Sequence, residues 1–203
     1  MRKLLVSSFV SLDGVVESPM TWASRFFDNE CTEYALHKLD DVEFFLLGRK
    51  AYQTFAPVWS TIKGNAYIDR INGLKKLVAS TTLREVAWNA SLLKGDVAKE
   101  IAKLKRENGG HIMKYGVTAL DRTLLDTKLV DEYDLWIMPT CVGQGKRAFA
   151  DIEADKLDLE LLRTHRFTNG VMALTYRPRV RAADHRTSDT RPGRRPAVVV
   201  SPG

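Results

Sequence analysis

The chain has 203 residues, a formal net charge of +6 at pH 7 and 44% hydrophobic residues. This length suits one domain or one domain with a tail, and the hydrophobic content is ordinary for a globular fold. No apolar run approaches the ~18 residues that cross a bilayer, and Ser7 and Ser8 interrupt the N-terminal run, so a strand over residues 2–10 is a better prediction than a signal peptide.

Strand-like and helix-like segments alternate through about residue 140. The predicted strands cover residues 2–10, 43–47, 76–79, 111–115 and 131–139. The first predicted helix begins at residue 28 or 29 and ends at residue 39. Four further predicted helices cover residues 49–55, 66–74, 97–106 and 117–125. Such alternation favours a mostly parallel sheet with helices on both faces.

The last predicted elements are strands over residues 159–166 and 171–176, joined around Asn169 and Gly170. Asn-Gly between two strand-like runs is a strong hairpin signal, because both residues tolerate the positive φ angles of a tight turn. The sequence therefore predicts an α/β fold whose mostly parallel sheet ends in an antiparallel hairpin.

The positive charge is concentrated at the C-terminal end. Residues 179–203 hold six Arg and two Asp, and therefore carry +4 of the net charge. Their Arg, Pro, Gly and Ser content predicts a disordered tail that follows a folded domain over residues 1–178. Because the domain itself carries little net charge and the tail has no interleaved aromatic residues, we do not expect nucleic-acid binding.

Cys31 and Cys141 are the two cysteines of the chain, and they stand in no metal-ligand spacing. Two distant cysteines without an export signal predict free thiols in the reducing cytoplasm. No metal site is expected.

The segment from Glu43 to Phe55 carries the first functional signal. A buried strand stops at Gly48, two cations follow at Arg49 and Lys50, and a helix begins there. Backbone N–H groups, a helix N-terminus and fixed positive charge then meet at one point, which favours binding of a phosphate. The alternative is an ordinary strand–helix turn with solvated cations.

Three further loops share this position in the predicted sheet. Residues 11–14, 80–82 and 116–117 also follow predicted strands. In open parallel sheets, ligands bind beyond the carboxyl ends of the strands, where the strand order reverses. We therefore expect all four loops to lie at one ligand-binding edge.

Six motifs follow one another along the chain: SLDG (11–14), LLGRKAY (46–52), ASTTL (79–83), KYGVTAL (114–120), LVDEYDLWIMP (129–139) and VGQGKRAF (142–149). In this order they resemble the motifs of dihydrofolate reductase-like proteins, and most of all those of the reductase domain of bacterial riboflavin-biosynthesis enzymes. The resemblance covers about residues 2–178. It implies a three-layer dihydrofolate reductase-like fold, NADPH as cofactor and a homodimer.

The resemblance also implies which residues bind NADPH. They are Gly48, Arg49 and Lys50 at the first turn, Ser80, Thr81 and Thr82 after the third strand, Gly116 and Val117 before a helix, and Gly143 and Gly145 as a further anion nest. The family usually has Thr where this chain has Ala51, and often Ser or Gly where it has Val117. Both departures are expected to weaken binding without abolishing it.

On the substrate side, the candidate walls are Trp22, Tyr52 and Phe55, because hydride transfer needs an apolar slot for a flat acceptor. Glu33 and Asp13 are the candidate catalytic acids. Asp28 and Glu30 are rivals of Glu33 on the same predicted helix. The riboflavin-type reductases keep an Asp after the cofactor turn, whereas residues 52–58 contain no carboxylate, which argues against the riboflavin reaction itself.

These observations predict an NADPH-dependent reductase that transfers a hydride to a small pterin-like or pyrimidine-like heterocycle, or to a related carbonyl or imine. The alternative is a non-catalytic nucleotide- or ligand-binding protein on the same fold.

Overall fold

The computed structural model of this chain describes residues 1–153 and 157–180. Within them the strands are β1 Leu4–Ser11, β2 Val42–Gly48, β3 Lys75–Ala79, β4 Ala90–Leu92, β5 His111–Tyr115, β6 Glu132–Met138, β7 Leu157–Arg166 and β8 Met172–Val180. The α-helices are α1 Asn29–His37, α2 Arg49–Trp59, α3 Ala66–Gly73, α4 Val97–Arg106 and α5 Ala119–Asp126. Two short 3-10 helices, Pro19–Thr21 and Ser24–Phe26, precede α1.

The strands form a single eight-stranded sheet in the order β4-β3-β2-β5-β1-β6-β8-β7. The first six strands in this order pair in parallel, whereas β8 pairs antiparallel with both β6 and β7. This arrangement confirms the predicted fold class, including the hairpin at the C-terminal end.

Alternation along each strand divides the core into two layers, because successive side chains point to opposite faces of a sheet. On β1, Leu4, Val6 and Val10 pack against α4 and α5. Phe9 packs on the opposite face, where α1 lies. The helices α2 and α3 cover that second face over β2 and β5, so the predicted three layers are present.

The division of the helices follows from the direction of the connections. The links from β1 to β2 and from β2 to β3 run toward one side of the sheet, whereas those from β4 to β5 and from β5 to β6 run toward the other. Crossovers between parallel strands are right-handed. Opposite directions therefore place α1, α2 and α3 on one face and α4 and α5 on the other.

Most helices begin at a residue that the sequence marks as a cap. Asp28 accepts a hydrogen bond from the Cys31 amide, Asn65 from the Ile68 amide, and Asp96 from the Ala98 amide. Such caps satisfy amides that lack a partner within the helix. The start of α2 differs, since its N-cap residue is Gly48 and has no side chain for this role.

Several boundaries differ from the sequence prediction, among them those of α2, α5 and β8. The helix α2 continues through Pro57 to Trp59, since the ring of Trp59 stacks on Phe55 at 4.4 Å. The helix α5 begins at Ala119 rather than at residue 117. The strand β8 extends to Val180, two residues beyond the predicted domain end, and the rest of the predicted tail lies outside the described residues.

Over the described ranges, no helix combines the length and apolarity needed to cross a membrane.

Candidate functional site

The centre of the sheet opens at the carboxyl ends of β1 and β5. Their last paired residues are Ser7 and Tyr115. Beyond them β1 continues to Ser11 and pairs only with β6, whereas β5 gives way to Gly116. The connections after β1 and β5 leave toward opposite sides of the sheet, so this gap is the switch point at which ligands bind in such folds.

Backbone polar groups of β1 face this gap. Carbonyl oxygens of Lys3 and Ser7 accept hydrogen bonds from β5, at 2.8 Å in each case. Alternate residues of a parallel strand direct their backbone groups to the same neighbour. Phe9, two residues past Ser7, therefore directs its amide and carbonyl toward the gap and not toward β6.

The predicted phosphate-binding loops lie on three adjacent strands beside the gap. Gly48 at the end of β2 pairs with Ala79 of β3, so Ser80 follows directly beside it. On the other side, Leu46 pairs with Lys114 of β5, and Gly48 and Gly116 each stand two residues further along. The structure thus brings the first three predicted cofactor segments to one edge.

The N-terminus of α2 has the features that favour an anion, and no side chain among residues 1–153 and 157–180 occupies it. No side chain caps it, its first turn holds no acidic residue, and Arg49 and Lys50 are exposed. A side chain added at Gly48 would meet no atom within 4 Å. The free amides, the helix dipole and the two cations therefore all favour an incoming phosphate.

The loop after β3 is partly organised by its own hydroxyl group. Ser80 Oγ accepts hydrogen bonds from the Thr82 amide at 3.2 Å and the Leu83 amide at 3.0 Å. Thr81 and Thr82 are exposed beside the start of α2. Ser80 therefore shapes the loop, while the two threonines present hydroxyls to solvent.

The N-terminus of α5 is already neutralised by the chain. The Thr118 amide donates to Asp121 Oδ2 at 2.6 Å, and Lys114 Nζ donates to the same oxygen at 2.6 Å and to the Gly116 carbonyl at 2.5 Å. Tyr133 donates to the other Asp121 oxygen at 3.1 Å. The N-cap amide is therefore satisfied within the chain, and the buried pair of Asp121 and Lys114 adds no net charge at this helix start.

Gly116 and Val117 have different roles in this turn. Gly116 has a φ of +78°, a conformation that favours glycine. The Val117 side chain is buried in the core, and its amide donates to Ser8 Oγ at 3.3 Å. The predicted close approach of a cofactor thus remains available at Gly116, whereas Val117 faces the core.

The glycine loop after β6 holds the chain's own carboxylates. The amides of Val142 and Gly143 donate to Asp13 at 3.0 and 2.8 Å, and the Lys146 amide donates to Glu17 at 3.0 Å. A Cβ added at Gly145 would lie 2.9 Å from Val15 Cγ1. The predicted anion nest exists, but its occupant in this structure is Asp13.

Asp13 consequently serves as an anchor in this structure. Ser11 Oγ donates to it at 2.6 Å. The hydrogen bonds from Ser11, Val142 and Gly143 hold the pKa of the Asp13 carboxyl well below its usual range. A carboxylate that binds its proton so weakly is a poor general acid near neutral pH.

The other candidate acids are either exposed or held by hydrogen bonds within the chain. Glu33 is exposed on α1, on the side opposite the buried Cys31 and Ala35. Asp28 caps α1 through the Cys31 amide, and Glu30 accepts hydrogen bonds from the amide and hydroxyl of Thr168. The helix position that faces the sheet holds Cys31, whose pKa burial raises to about 11.

The predicted substrate walls are distributed over the face of the sheet that carries α1, α2 and α3. The Trp22 indole is half-buried and donates from Nε1 to the Glu17 carbonyl at 2.9 Å. The Tyr52 hydroxyl accepts from the Ala87 amide at 2.8 Å and so fixes α2 to the loop after β3. Phe55 stacks on Trp59.

Two tyrosines that are not among the predicted site residues meet beside the gap. Tyr67 of α3 donates its hydroxyl to that of Tyr115 at 2.8 Å. We call these residues the tyrosine pair. Tyr115 lies two residues after the buried Met113 on β5, so both side chains point to the face that carries α2 and α3. This spacing is the sequence signal that could have identified Tyr115.

The tyrosine pair lies between two groups of aromatic rings, and the region that these groups flank, which the tyrosine pair itself fills in this structure, is called here the aromatic slot. Phe9, Phe27 and Trp136 form one group, with Phe27 5.9 Å from Tyr67. Phe45, Phe55 and Trp59 form the other, with Phe45 4.9 Å from Tyr115.

A cavity of about 420 Å³ lies elsewhere, at the amino ends of β2 and β3. Its lining includes Asp41, Glu43, Arg70 and Lys75. Arg70 is occupied there by the carbonyl oxygens of Leu39 and Val42, each at 2.7 Å. Because parallel sheets bind ligands at the other ends of their strands, we place the candidate site at the β1–β5 gap.

A family model described as the RibD C-terminal domain matches residues 2–173. The uncharacterized protein YyaP of Bacillus subtilis is 28% identical over 185 residues, which span 86% of this chain and 94% of YyaP.

Solved structures with low sequence identity share the fold. A putative riboflavin biosynthesis protein from Shewanella superposes with a TM-score of 0.67 at 18% identity over 87% of this chain and 99% of its own. A Thermotoga maritima diaminohydroxyphosphoribosylaminopyrimidine deaminase/5-amino-6-(5-phosphoribosylamino)uracil reductase gives 0.61 at 13% over 87% of this chain and 56% of its own. Schistosoma mansoni dihydrofolate reductase gives 0.56 at 14%, over 87% of this chain and 98% of its own.

Proposed function

The chain belongs to the RibD C-terminal domain family, and we propose that it is an NADPH-dependent reductase of a small pyrimidine-like or pterin-like heterocycle. The observation that carries this proposal is the uncapped, cationic start of α2, which lies one strand away from the gap between β1 and β5.

The residues around the gap fit a phosphorylated dinucleotide. Arg49, Lys50 and the free amides of α2 would bind phosphate groups, and the hydroxyls of Thr81 and Thr82 lie on the adjacent strand end. Arg49 and Lys50 also suit the 2′-phosphate that distinguishes NADPH from NADH. Since the start of α2 combines uncapped amides with two exposed cations, and Asp13 fills the glycine loop, we assign the phosphate groups to the start of α2.

The gap itself suits a flat ring that carries an amide. Gly116 permits close approach, and Phe9 supplies an outward amide and carbonyl on the other side. A ring inserted there would present one face to the aromatic slot on the α1 side of the sheet. When bound, NADPH supplies a hydride to the substrate, and the aromatic slot would align the substrate and exclude water.

The substrate class rests on the shape of the slot and on the family. Aromatic rings on two sides favour a flat heterocycle, and the Thermotoga relative's name specifies a substituted uracil. Phe27 lies 5.9 Å from both Tyr67 and Trp136, so a substrate would enter by displacing it. Phe27 stands between a 3-10 helix and α1, outside any regular element.

One observation favours the alternative of a binding protein without turnover. Ala51 occupies the first turn of α2 and packs toward the core, so the hydroxyl expected there is absent. The loss of one hydrogen bond to a phosphate corresponds to about 1–2 kcal/mol. A cytoplasmic location and a homodimer also remain predictions of the family resemblance.

Titration of the purified protein with NADPH and with NADH, followed by nicotinamide fluorescence, tests the cofactor assignment. We expect micromolar binding of NADPH and much weaker binding of NADH. A substrate panel of 5-amino-6-(5-phosphoribosylamino)uracil, dihydrofolate and simple imines then tests for oxidation of NADPH at 340 nm. Binding without any turnover would favour the alternative, and equal binding of the two nucleotides would contradict the assigned 2′-phosphate contact.

A further inference from the structure

The tyrosine pair holds a hydrogen-bond donor that the fold does not use. Two hydroxyls carry two protons, but the hydrogen bond between Tyr67 and Tyr115 needs only one. Within residues 1–153 and 157–180, neither hydroxyl has another hydrogen-bond partner. Whichever tyrosine donates to the other, one O–H group remains free.

The position of this free donor is unusual for a structural hydroxyl. Tyr115 is the last residue of β5, at the point where β1 and β5 separate. Tyr67 approaches from α3, and aromatic rings pack against the rings of both tyrosines. Both tyrosines are half-buried, and a partner from outside the chain would stabilise the unused O–H group, because a polar group without a hydrogen-bond partner is unfavourable among such rings.

The protonation state suits hydrogen-bond donation. Burial raises the pKa of both Tyr67 and Tyr115 above the ordinary value for tyrosine. Both hydroxyls therefore keep their protons throughout the neutral range. The carboxylates considered above do not compete for this role, since Asp13, Asp28 and Glu30 bind backbone amides and Glu33 points outward.

We propose that Tyr115, oriented by Tyr67, donates a hydrogen bond to a ring carbonyl or imine nitrogen of the substrate in the aromatic slot. This inference rests on the proposed function, and it deepens that function by naming a specificity-determining residue. Tyr115 contacts the substrate in this arrangement, whereas Tyr67 is a positioning residue that directs the Tyr115 hydroxyl.

The proposal has a consequence for substrate choice. A site built around a buried donor rejects analogues without the matching acceptor, because the donor is then left unpaired. The preferred ligand is therefore a heterocycle with an oxo or imino group on the edge that faces β5. A purely hydrocarbon aromatic ring of equal size would bind poorly.

Three Tyr→Phe variants test the assignment, since each removes only a hydroxyl. They are Tyr115→Phe, Tyr67→Phe and the control Tyr176→Phe, which lies on the opposite face of the sheet with α4 and α5. The full chain is titrated with NADPH first. Steady-state kinetics with 5-amino-6-(5-phosphoribosylamino)uracil and dihydrofolate follow, and calorimetric titration of the NADPH-bound protein measures the affinity for the same two compounds.

For Tyr115→Phe we expect about a tenfold loss of kcat/KM or of affinity for a compound that the wild type accepts, with NADPH affinity within twofold. Tyr67→Phe should lose less, because the Tyr115 hydroxyl remains but is no longer directed. Tyr176→Phe should match the wild type, and circular dichroism confirms that each variant is folded.

The possible failures are distinguishable. If the wild type does not bind NADPH, the proposed function fails, and this inference fails with it. If the wild type binds NADPH and accepts a compound that Tyr115→Phe handles equally well, the reductase assignment stands and the role of Tyr115 is wrong. If the NADPH-bound wild type binds neither heterocycle, the slot does not recognise oxo-heterocycles, which also overturns the role of Tyr115.

Discussion

Asp13 and Gly143 are 130 residues apart in the chain, and the Gly143 amide donates a hydrogen bond to the Asp13 carboxylate at 2.8 Å. This contact joins the loop after β1 to the glycine loop after β6. The candidate catalytic acid and the candidate anion nest thus bind each other in this structure, and the two predicted roles can be tested together.

The first prediction concerns Asp13. If Asp13 anchors the two loops, Asp13→Asn should keep most of the activity, because an amide oxygen still accepts a hydrogen bond from a backbone amide. Asp13→Ala should lose thermal stability and activity together. Measurement of melting temperature and kcat/KM for both variants checks this, and an inactive but fully stable Asp13→Asn protein would restore the catalytic role.

The pH dependence of the same contact has a definite sign. The pKa of Asp13 is lower in the folded protein than in the unfolded chain. The contact therefore stabilises the protein above the unfolded pKa near 4, and this contribution disappears as the pH falls through the folded pKa. The difference in stability between wild type and Asp13→Ala should be constant near neutrality and shrink below about pH 4.

Glu33 provides a second prediction. Its carboxylate is exposed on the outer side of α1, so Glu33→Gln should leave kcat/KM within about twofold of wild type, in line with other surface substitutions. The reaction rate across pH 5 to 9 is the measurement. A loss of a hundredfold or more would mean that α1 turns this side chain inward during catalysis.

The third prediction concerns Arg49. Arg49→Ala should lower the affinity for NADPH by about tenfold to a hundredfold, the effect of a lost hydrogen bond to a charged group. It should lower the affinity for NADH much less. Fluorescence titration with both nucleotides measures this. Arg106→Ala is a matched control, because Arg106 is an exposed cation in the last turn of α4, where it is remote from the start of α2. Equal losses for both nucleotides would place Arg49 on the shared phosphates instead.

The buried pair of Lys114 and Asp121 supports the Gly116 turn and gives a fourth prediction. Their side chains are only 2% and 1% exposed. Lys114→Met leaves the carboxylate buried without its cation, so unfolding in urea should show a loss of about 3–5 kcal/mol.

The matched control for this pair is Lys114→Met combined with Asp121→Asn, which removes both charges. This double variant should recover part of the lost stability, since no unpaired charge remains. If it is at least as unstable as Lys114→Met alone, the cost comes from packing and not from charge.

Lys76 gives the fifth prediction. It is buried on β3, where Nζ donates to the carbonyls of Asn72 and Leu74 and lies 4.5 Å from the centre of the Trp88 ring. Burial lowers the pKa of Lys76 to about 8. Deprotonation near pH 8 should therefore change Trp88 fluorescence, and the change should be absent in Lys76→Met.

The linked effect on stability also has a definite direction. A lysine whose folded pKa lies below its unfolded value opposes folding while it is charged, and this opposition is relieved as the pH rises from about 8 to about 10.5. Urea unfolding should show wild-type stability rising over that window relative to Lys76→Met. Parallel profiles for the two proteins would contradict the buried, shifted Lys76.

Much of the fold could be predicted because local patterns and the global arrangement agree. Alternating strands and helices led to the parallel sheet, and Asn169–Gly170 marked the hairpin that the structure contains. Boundaries were predicted less well where tertiary contacts decide them. The predicted end of α2 at residue 55 was too early, because the stacking of Trp59 on Phe55 stabilises another turn.

The cofactor edge was also foreseeable in part. The turn residue Gly48 and the cations Arg49 and Lys50 are consecutive in the sequence, and the structure places them at the start of α2. The same reasoning could not separate this helix start from that of α5. Only the folded chain shows that Asp121 accepts the N-cap amide of α5 and pairs with Lys114, whereas no side chain caps α2.

By itself, the sequence determined the order of strands and helices, the family and the segment best suited to phosphate, since these depend on periodicity, turn residues and local charge. The tertiary structure decided the roles of individual side chains. Long-range contacts direct Asp13 to the glycine loop and bring Tyr67 to Tyr115. Such contacts join residues that are distant in the chain, so no local pattern encodes them.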